Sequence, residues 1–85
     1  MQTVEIYTSP FCGFCVAAKR LLKKKGVAFE EFKVGRDPVK RQEMMTRANG
    51  GHTVPQIFIA GKHIGGCDEL YGLERAGKLD AMLAE

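Results

Sequence analysis

No apolar stretch in this 85-residue chain approaches the roughly 18 residues needed to span a bilayer. The amino-terminal MQTVEIYT also lacks the basic and apolar regions of a secretion signal, so the expectation is a cytoplasmic, reducing location with no membrane partner. Cysteine is scarce: three is an odd number and too few for a disulfide-stapled secreted domain. Internal repeats, linkers and low-complexity segments are missing too, which leaves one folded domain over residues 1–85 as the expectation. No aromatic RNA-binding motif interleaves with the basic residues, and no nucleic-acid partner is expected.

Apolar residues make up 45% of the chain and charged ones 27%, the balance of a folded globular domain rather than a disordered segment. The formal charge of +3 is concentrated, since Lys19, Arg20, Lys23, Lys24 and Lys25 supply five of the thirteen basic residues. They fall where a helix ends, and cations there complement the negative end of its dipole.

TVEIYT (3–8) is short, β-rich and broken by Ser9-Pro10, so it reads as a strand running into a loop. Cys15, Ala18 and Leu22 then recur at helical spacing with Leu21 beside them, and Gly26 follows a cationic last turn, which predicts a helix from Cys12 to Lys25. VAFEEF (27–32) predicts a second strand, with Val27, Phe29 and Phe32 as candidates for burial. Asp37-Pro38 starts a second helix carrying Val39, Met44, Met45 and Ala48, the methionines as core filler, and Asn49-Gly50-Gly51 stops it. PQIFIAGKHIGG (55–66) reads as a hairpin: a strand from Gln56 to Ile59, a tight turn at Ala60-Gly61, and a return through His63 and Ile64. Cys67–Arg75 and Leu79–Leu83 look like short helices with Leu70, Leu73, Leu79 and Met82 turned inward. The order β-α-β-α-β-β-α predicts an α/β fold, a four-stranded mixed sheet with helices on both faces.

The chemistry lies in SPFCGFCVAAKR (9–20). Cys12 falls at the start of a helix, where unpaired N–H groups and the positive end of the dipole favour thiolate over thiol, with Lys19 and Arg20 as minor contributors. Cys15, one turn further in and on the same side, suits a resolving thiol in a couple that works through a mixed disulfide. A zinc site would need a second ligand pair at close spacing, and Cys67, His52 and His63 are isolated. A purely structural disulfide fits a reducing compartment poorly, so redox chemistry is favoured. His52 and His63 read as loop and turn residues.

Pro55 stands at the head of a strand, where proline belongs if it is in a strand at all. Frequency alone predicts a trans Val54–Pro55 bond, whereas a cis bond would present the Val54 backbone to an extended peptide. Gly65-Gly66-Cys67-Asp68 is either a simple helix cap or a site whose N–H groups bind a carboxylate while Asp68 binds an ammonium. Cys67 itself reads as a small buried hydrophobe, with oxidative modification as the alternative.

Tyr7-Thr8, Cys12-Gly13-Phe14-Cys15, Thr53-Val54-Pro55-Gln56-Ile57-Phe58-Ile59 and Gly65-Gly66-Cys67-Asp68, in this order, resemble a bacterial glutaredoxin over essentially the whole chain. The resemblance implies a thioredoxin-like fold, a cis Pro55 facing the cysteines, and glutathione as reducing cosubstrate without a tightly bound cofactor. It implies Cys12 as nucleophile, Cys15 as resolving cysteine and Phe14 beside them. Thr53 and Val54 would meet glutathione, and Cys67 and Asp68 would hold its γ-glutamyl end. The implied partners are glutathione and disulfide-containing or glutathionylated proteins, with ribonucleotide reductase a candidate at the level of the family, and the expected state is a monomer.

Two positions depart from the family's pattern. Gly13-Phe14 replaces the Pro-Tyr common between the cysteines, and Ser9-Pro10 stands where a lysine is often found, leaving Arg41 or Gln42 to meet the glycyl carboxylate of glutathione. Members without that inter-cysteine proline are over-represented among those holding a 2Fe–2S cluster between two subunits. Cys12 would be the metal ligand in that alternative, a cluster-binding or carrier protein that dimerises through the cluster and its glutathiones.

Overall fold

Val4–Thr8 forms the strand on which the sheet is built, β1, because its alternate side chains serve two cores at once. Val4 and Ile6 turn to one face and Tyr7 to the other, all three buried. In the computed structural model, which describes residues 1–84, there follow α1 (Gly13–Lys24), β2 (Phe29–Lys33), α2 (Pro38–Arg47) and β3 (Gln56–Ile59). The chain then continues through β4 (Lys62–Gly65), α3 (Cys67–Arg75) and α4 (Leu79–Ala84). The strands lie in the order β2-β1-β3-β4, with β1 and β2 parallel and the other pairs antiparallel. The four-stranded mixed sheet is as expected, and so are the two short helices that close the chain, α3 and α4. No helix among the described residues is long and apolar enough to cross a membrane.

On one face, Ala18, Leu21 and Leu22 of α1, Leu70 of α3, and Leu79 and Leu83 of α4 pack against Val4, Ile6, Ile57 and Ile59. Each fully buried aliphatic side chain of this size contributes about 1.5–3 kcal/mol, so this layer is the larger source of stability. The end of α1 explains why β2 begins at Phe29 and not at Val27. Gly26, at φ 71°, turns the chain so that its N–H reaches Lys23 O at 2.9 Å and the Val27 N–H reaches Leu22 O at 3.3 Å. Val27 is therefore buried as the apolar residue that closes a helix cap, not as part of a strand. Gly77 ends α3 in the same way, with Lys78 N–H on Leu73 O, which is why α4 is a separate helix.

The other face is sealed by α2 in a manner the apolar pattern did not predict. Met44 and Ala48 pack with Tyr7, Val34 and Phe58, but Val39 is 79% exposed, because it lies on the opposite side of the helix from Met44. Cations complete the cover: the Arg47 guanidinium lies 4.1 Å from the Phe58 ring centroid, and Lys40 Nζ 4.6 Å from that of Phe32. Arg47 also pairs with Glu5 at 2.8 Å and donates to the Tyr7 hydroxyl at 2.8 Å. The basic run at the end of α1 is partly paired as well, Lys25 meeting Glu74 at 2.7 Å and Asp80 at 2.8 Å.

Arg47→Ala removes the stack, the ion pair and the hydroxyl contact together, and is expected to destabilise the protein by about 2–3 kcal/mol in denaturant titrations. Arg47→Lys should recover only part of that loss, since an ammonium cannot both fork onto Glu5 and lie flat on Phe58.

Candidate functional site

The end of β1 runs through Ser9-Pro10-Phe11 to Cys12, the residue that caps α1. Phe11 takes the left-handed backbone at φ 58°, and Cys12 is extended, at φ −108° and ψ 105°. This turn aims the Cys12 sulfur back at the helix, where it accepts a hydrogen bond from the Cys15 N–H at 3.1 Å. The first turn of α1 contains no acidic residue, so the sulfur alone meets the positive end of the helix. Cys12 and Cys15 form a disulfide with their Cα atoms 5.2 Å apart. Depth separates the two: Cys15 is 2% exposed within the core side of α1, whereas Cys12 is only half-buried.

Opposite the cysteines stands the loop that opens β3. The Val54–Pro55 bond is cis, as the resemblance implied and against the expectation from frequency alone. Val54 O lies 3.8 Å from the Cys12 sulfur. Three side chains hold this loop in place. Arg41 Nη1 donates to His52 O at 3.0 Å, and buried Gln56 donates through Nε2 to Thr53 O at 2.9 Å while its Oε1 meets His63 Nε2 at 2.7 Å. His63, read from sequence as a turn residue, is thus a β4 residue buttressing the Thr53 loop.

Between α1 and α3 lies a cleft of about 330 Å³. The side chains expected from sequence converge there: Phe14 on one wall, Thr53, Val54 and Pro55 on the floor, Cys67 and Asp68 on the far wall. Gly66, whose N–H was among the donors expected to meet a ligand, and Glu69, which was not singled out in the sequence, complete it. Glu69 Oε1 accepts the Gly66 N–H at 2.6 Å, so one of the backbone donors expected to be free for a ligand is already engaged by this cap. The Tyr71 hydroxyl donates to Ala17 O at 3.1 Å and ties the α3 wall to α1. Cys67 is 8% exposed and packs with the larger core. Its burial, with the charges of Asp68 and Glu69, pushes the thiol above its ordinary value and keeps it protonated.

A sequence model of the glutaredoxin family matches residues 4–64, the stretch that holds both cysteines, Thr53, Val54 and Pro55. The chain belongs to the glutaredoxin family. Glutaredoxin 3 of Escherichia coli K12 is 52% identical over 83 residues, covering 98% of this chain and 99% of that protein. A glutaredoxin of Pseudomonas aeruginosa is 51% identical over 84 residues, 99% of each chain. Among solved structures, Brucella melitensis glutaredoxin superposes with a TM-score of 0.84 at 51% identity, covering 98% of this chain and 89% of that one. A buckwheat glutaredoxin–glutathione complex superposes with a TM-score of 0.85 at 33% identity, covering 96% of this chain and 76% of that one. The fold is thioredoxin-like, and this glutaredoxin is a thiol–disulfide oxidoreductase.

A second cleft, of about 480 Å³, opens on the other side of the disulfide, where Phe11, Val16 and Lys33 join both cysteines. Lys19, expected to act as a helix-end cation, is drawn instead to Glu31 at 2.9 Å, and Glu31 also accepts from the buried Thr8 hydroxyl at 2.6 Å. The Thr8 hydrogen bond first, then Lys19, holds the Glu31 carboxyl below the ordinary carboxylate range against the opposing effect of its burial. A depressed folded value means that Glu31 stabilises the fold fully above about pH 4.3 and loses that contribution as pH falls through the folded value. In acid titrations of stability, the advantage of wild type over Glu31→Gln should be largest near neutrality and vanish in strong acid.

Proposed function

We propose that this glutaredoxin reduces protein disulfides and glutathione mixed disulfides with glutathione as its reducing cosubstrate. The observation that carries this reading is the pairing of a half-buried helix-capping sulfur with a cleft that ends in a helix N-terminus and Asp68. A γ-glutamyl group presents a carboxylate and an ammonium on one carbon. The remaining N–H groups at the start of α3 suit the carboxylate and Asp68 suits the ammonium. Thr53 and Val54 lie between that wall and Cys12, where an extended tripeptide would pair with the Val54 backbone. Arg41, anchored on His52 O, stands at the outer end of the loop and is the cation available to the glycyl carboxylate. The buckwheat relative solved with glutathione supports the choice of ligand.

In the proposed reaction the Cys12 thiolate attacks one sulfur of a substrate disulfide; the bond between the substrate sulfurs breaks and the other sulfur leaves as a thiolate. The resulting mixed disulfide on Cys12 is resolved either by the thiolate of glutathione or by Cys15 after loss of its proton. When Cys15 resolves it, the Cys12–Cys15 disulfide forms and two glutathiones return it to the dithiol, leaving as glutathione disulfide. Chemistry of this kind suits a reducing, cytoplasmic compartment and a protein acting as a monomer.

The 2Fe–2S alternative would draw one protein ligand, Cys12, from each of two chains, so it calls for no ligand cluster within one; among the described residues no three His, Cys, Asp or Glu side chains converge on a metal.

Cys12→Ser is expected to abolish reduction of both substrate classes in a glutathione-coupled assay, and retained activity would refute the assignment. Cys15→Ser should spare the glutathione mixed disulfide, which needs only Cys12 and glutathione, while losing protein-disulfide reduction. Asp68→Ala removes one charge-assisted hydrogen bond at an exposed site, so kcat/KM for glutathione should fall about tenfold, the lower end of the range for such bonds, about 1.5 kcal/mol. Unchanged turnover with glutathione would show that the amine is held elsewhere.

A further inference from the structure

The second cleft takes no part in the function just proposed, yet it shares the Cys12 sulfur with it. Its rim is built unfavourably for a surface that meets only water. Phe11 is 106% exposed while held at φ 58°, a backbone region that costs a bulky residue energy. Val16, half exposed, stands beside it on α1. From Val16 the cleft continues into a shallow trough of about 290 Å³ lined by Lys19, Arg20 and Lys23. Lys33 enters from β2. Among the described residues neither Arg20, Lys23 nor Lys33 forms an ion pair, and Glu31, the acid in this region, is already held by Lys19 and Thr8. The trough is therefore strongly cationic, with an apolar notch where it reaches the reactive sulfur.

We propose that this trough docks an acidic segment of the disulfide-bearing protein substrate, with an apolar side chain next to the substrate cysteine seated between Phe11 and Val16. The inference rests on the thiol–disulfide function above and names the class of protein it prefers. Charge selects the occupant: carboxylates along the segment meet Arg20, Lys23 and Lys33, and a basic segment is repelled. Position excludes a nucleic acid, because the notch abuts Cys12 and its occupant must bring a sulfur there. Glutathione lies on the other side of the disulfide in the first cleft, so the two ligands do not compete for the same walls. The φ of Phe11 also acquires a purpose, since it turns the ring outward over the notch.

The test uses the intact protein and three substrates: a disulfide-containing acidic peptide with an apolar residue beside its cysteine, a basic peptide of the same length, and the small mixed disulfide of glutathione and cysteamine. Wild type should favour the acidic over the basic peptide by at least tenfold in kcat/KM, and the preference should collapse between about 0.05 M and about 0.5 M salt. The double variant Lys23→Glu/Lys33→Glu should lose that preference through a raised KM while reducing the small mixed disulfide at the wild-type rate. Phe11→Gly, which suits the local backbone, should keep the unfolding midpoint and raise KM for the peptide severalfold. Equal rates on acidic and basic peptides in wild type, or a charge-reversed variant that keeps the preference, overturns the docking proposal. If the small mixed disulfide is not reduced by wild type either, it is the underlying function that has failed.

Discussion

The hydrogen bond from the Cys15 amide to the Cys12 sulfur is the contact on which the chemistry depends. A helix leaves its first N–H groups without partners, and a sulfur here takes the place usually given to the oxygen of Ser, Thr, Asn or Asp. The atom that lets α1 begin at Gly13 is thus the atom positioned to react. No carboxylate in the first turn competes for that positive end, and Lys19, the nearest basic candidate in the helix, is occupied by Glu31. Backbone geometry, more than any charged side chain, sets the surroundings of the Cys12 sulfur.

The sheet delivers the rest of the site to that sulfur. Because β1 and β3 run antiparallel with Tyr7 opposite Gln56, the end of one strand and the start of the other emerge at the same edge. Ser9–Cys12 and Thr53–Pro55 are therefore neighbours by register. Gln56 turns the same register into local rigidity, reaching Thr53 on one side and His63 on the other from a buried position. The start of α3 closes the third side: a Cβ on Gly66 would lie 3.3 Å from Pro55 O, so the glycine permits that approach. Three elements distant in sequence meet because of one strand pairing and one small residue.

Much of this was legible beforehand, for reasons that are local. The alternation in β1 and β3, the apolar spacing of α1 and the Asp37-Pro38 start are physical signals carried by adjacent residues, and each gave the element found. The Ala60-Gly61 turn likewise has both residues at positive φ, as a two-residue hairpin turn needs. Long-range polar contacts were not legible. Glu31 carried no sequence signal, because its hydrogen bond from Thr8 joins residues 23 positions apart. Arg47 and Lys40 were not singled out in the sequence either, yet they cover aromatic rings, a role that apolar periodicity cannot register because it counts cations as polar wherever they lie.

The two clefts differ in sign on either side of Cys12, which lines the second and reaches the first through Val54. Asp68 and Glu69 line the first, whereas Lys19, Arg20, Lys23 and Lys33 gather at the second and its extension. In the proposed function a single nucleophile that accepts electrons from a small amine-bearing thiol and passes them to folded proteins faces two recognition problems at one atom. Placing opposite charges on opposite sides lets each be solved by its own walls, with Phe14 and Phe11 as the aromatic borders. Arg20 and Lys23 on one side share no partner with Asp68 on the other, and contributions from such residues add almost independently. On the proposed reading, affinity for the protein substrate can therefore change along α1 without disturbing the cleft between α1 and α3 that would serve regeneration of the dithiol.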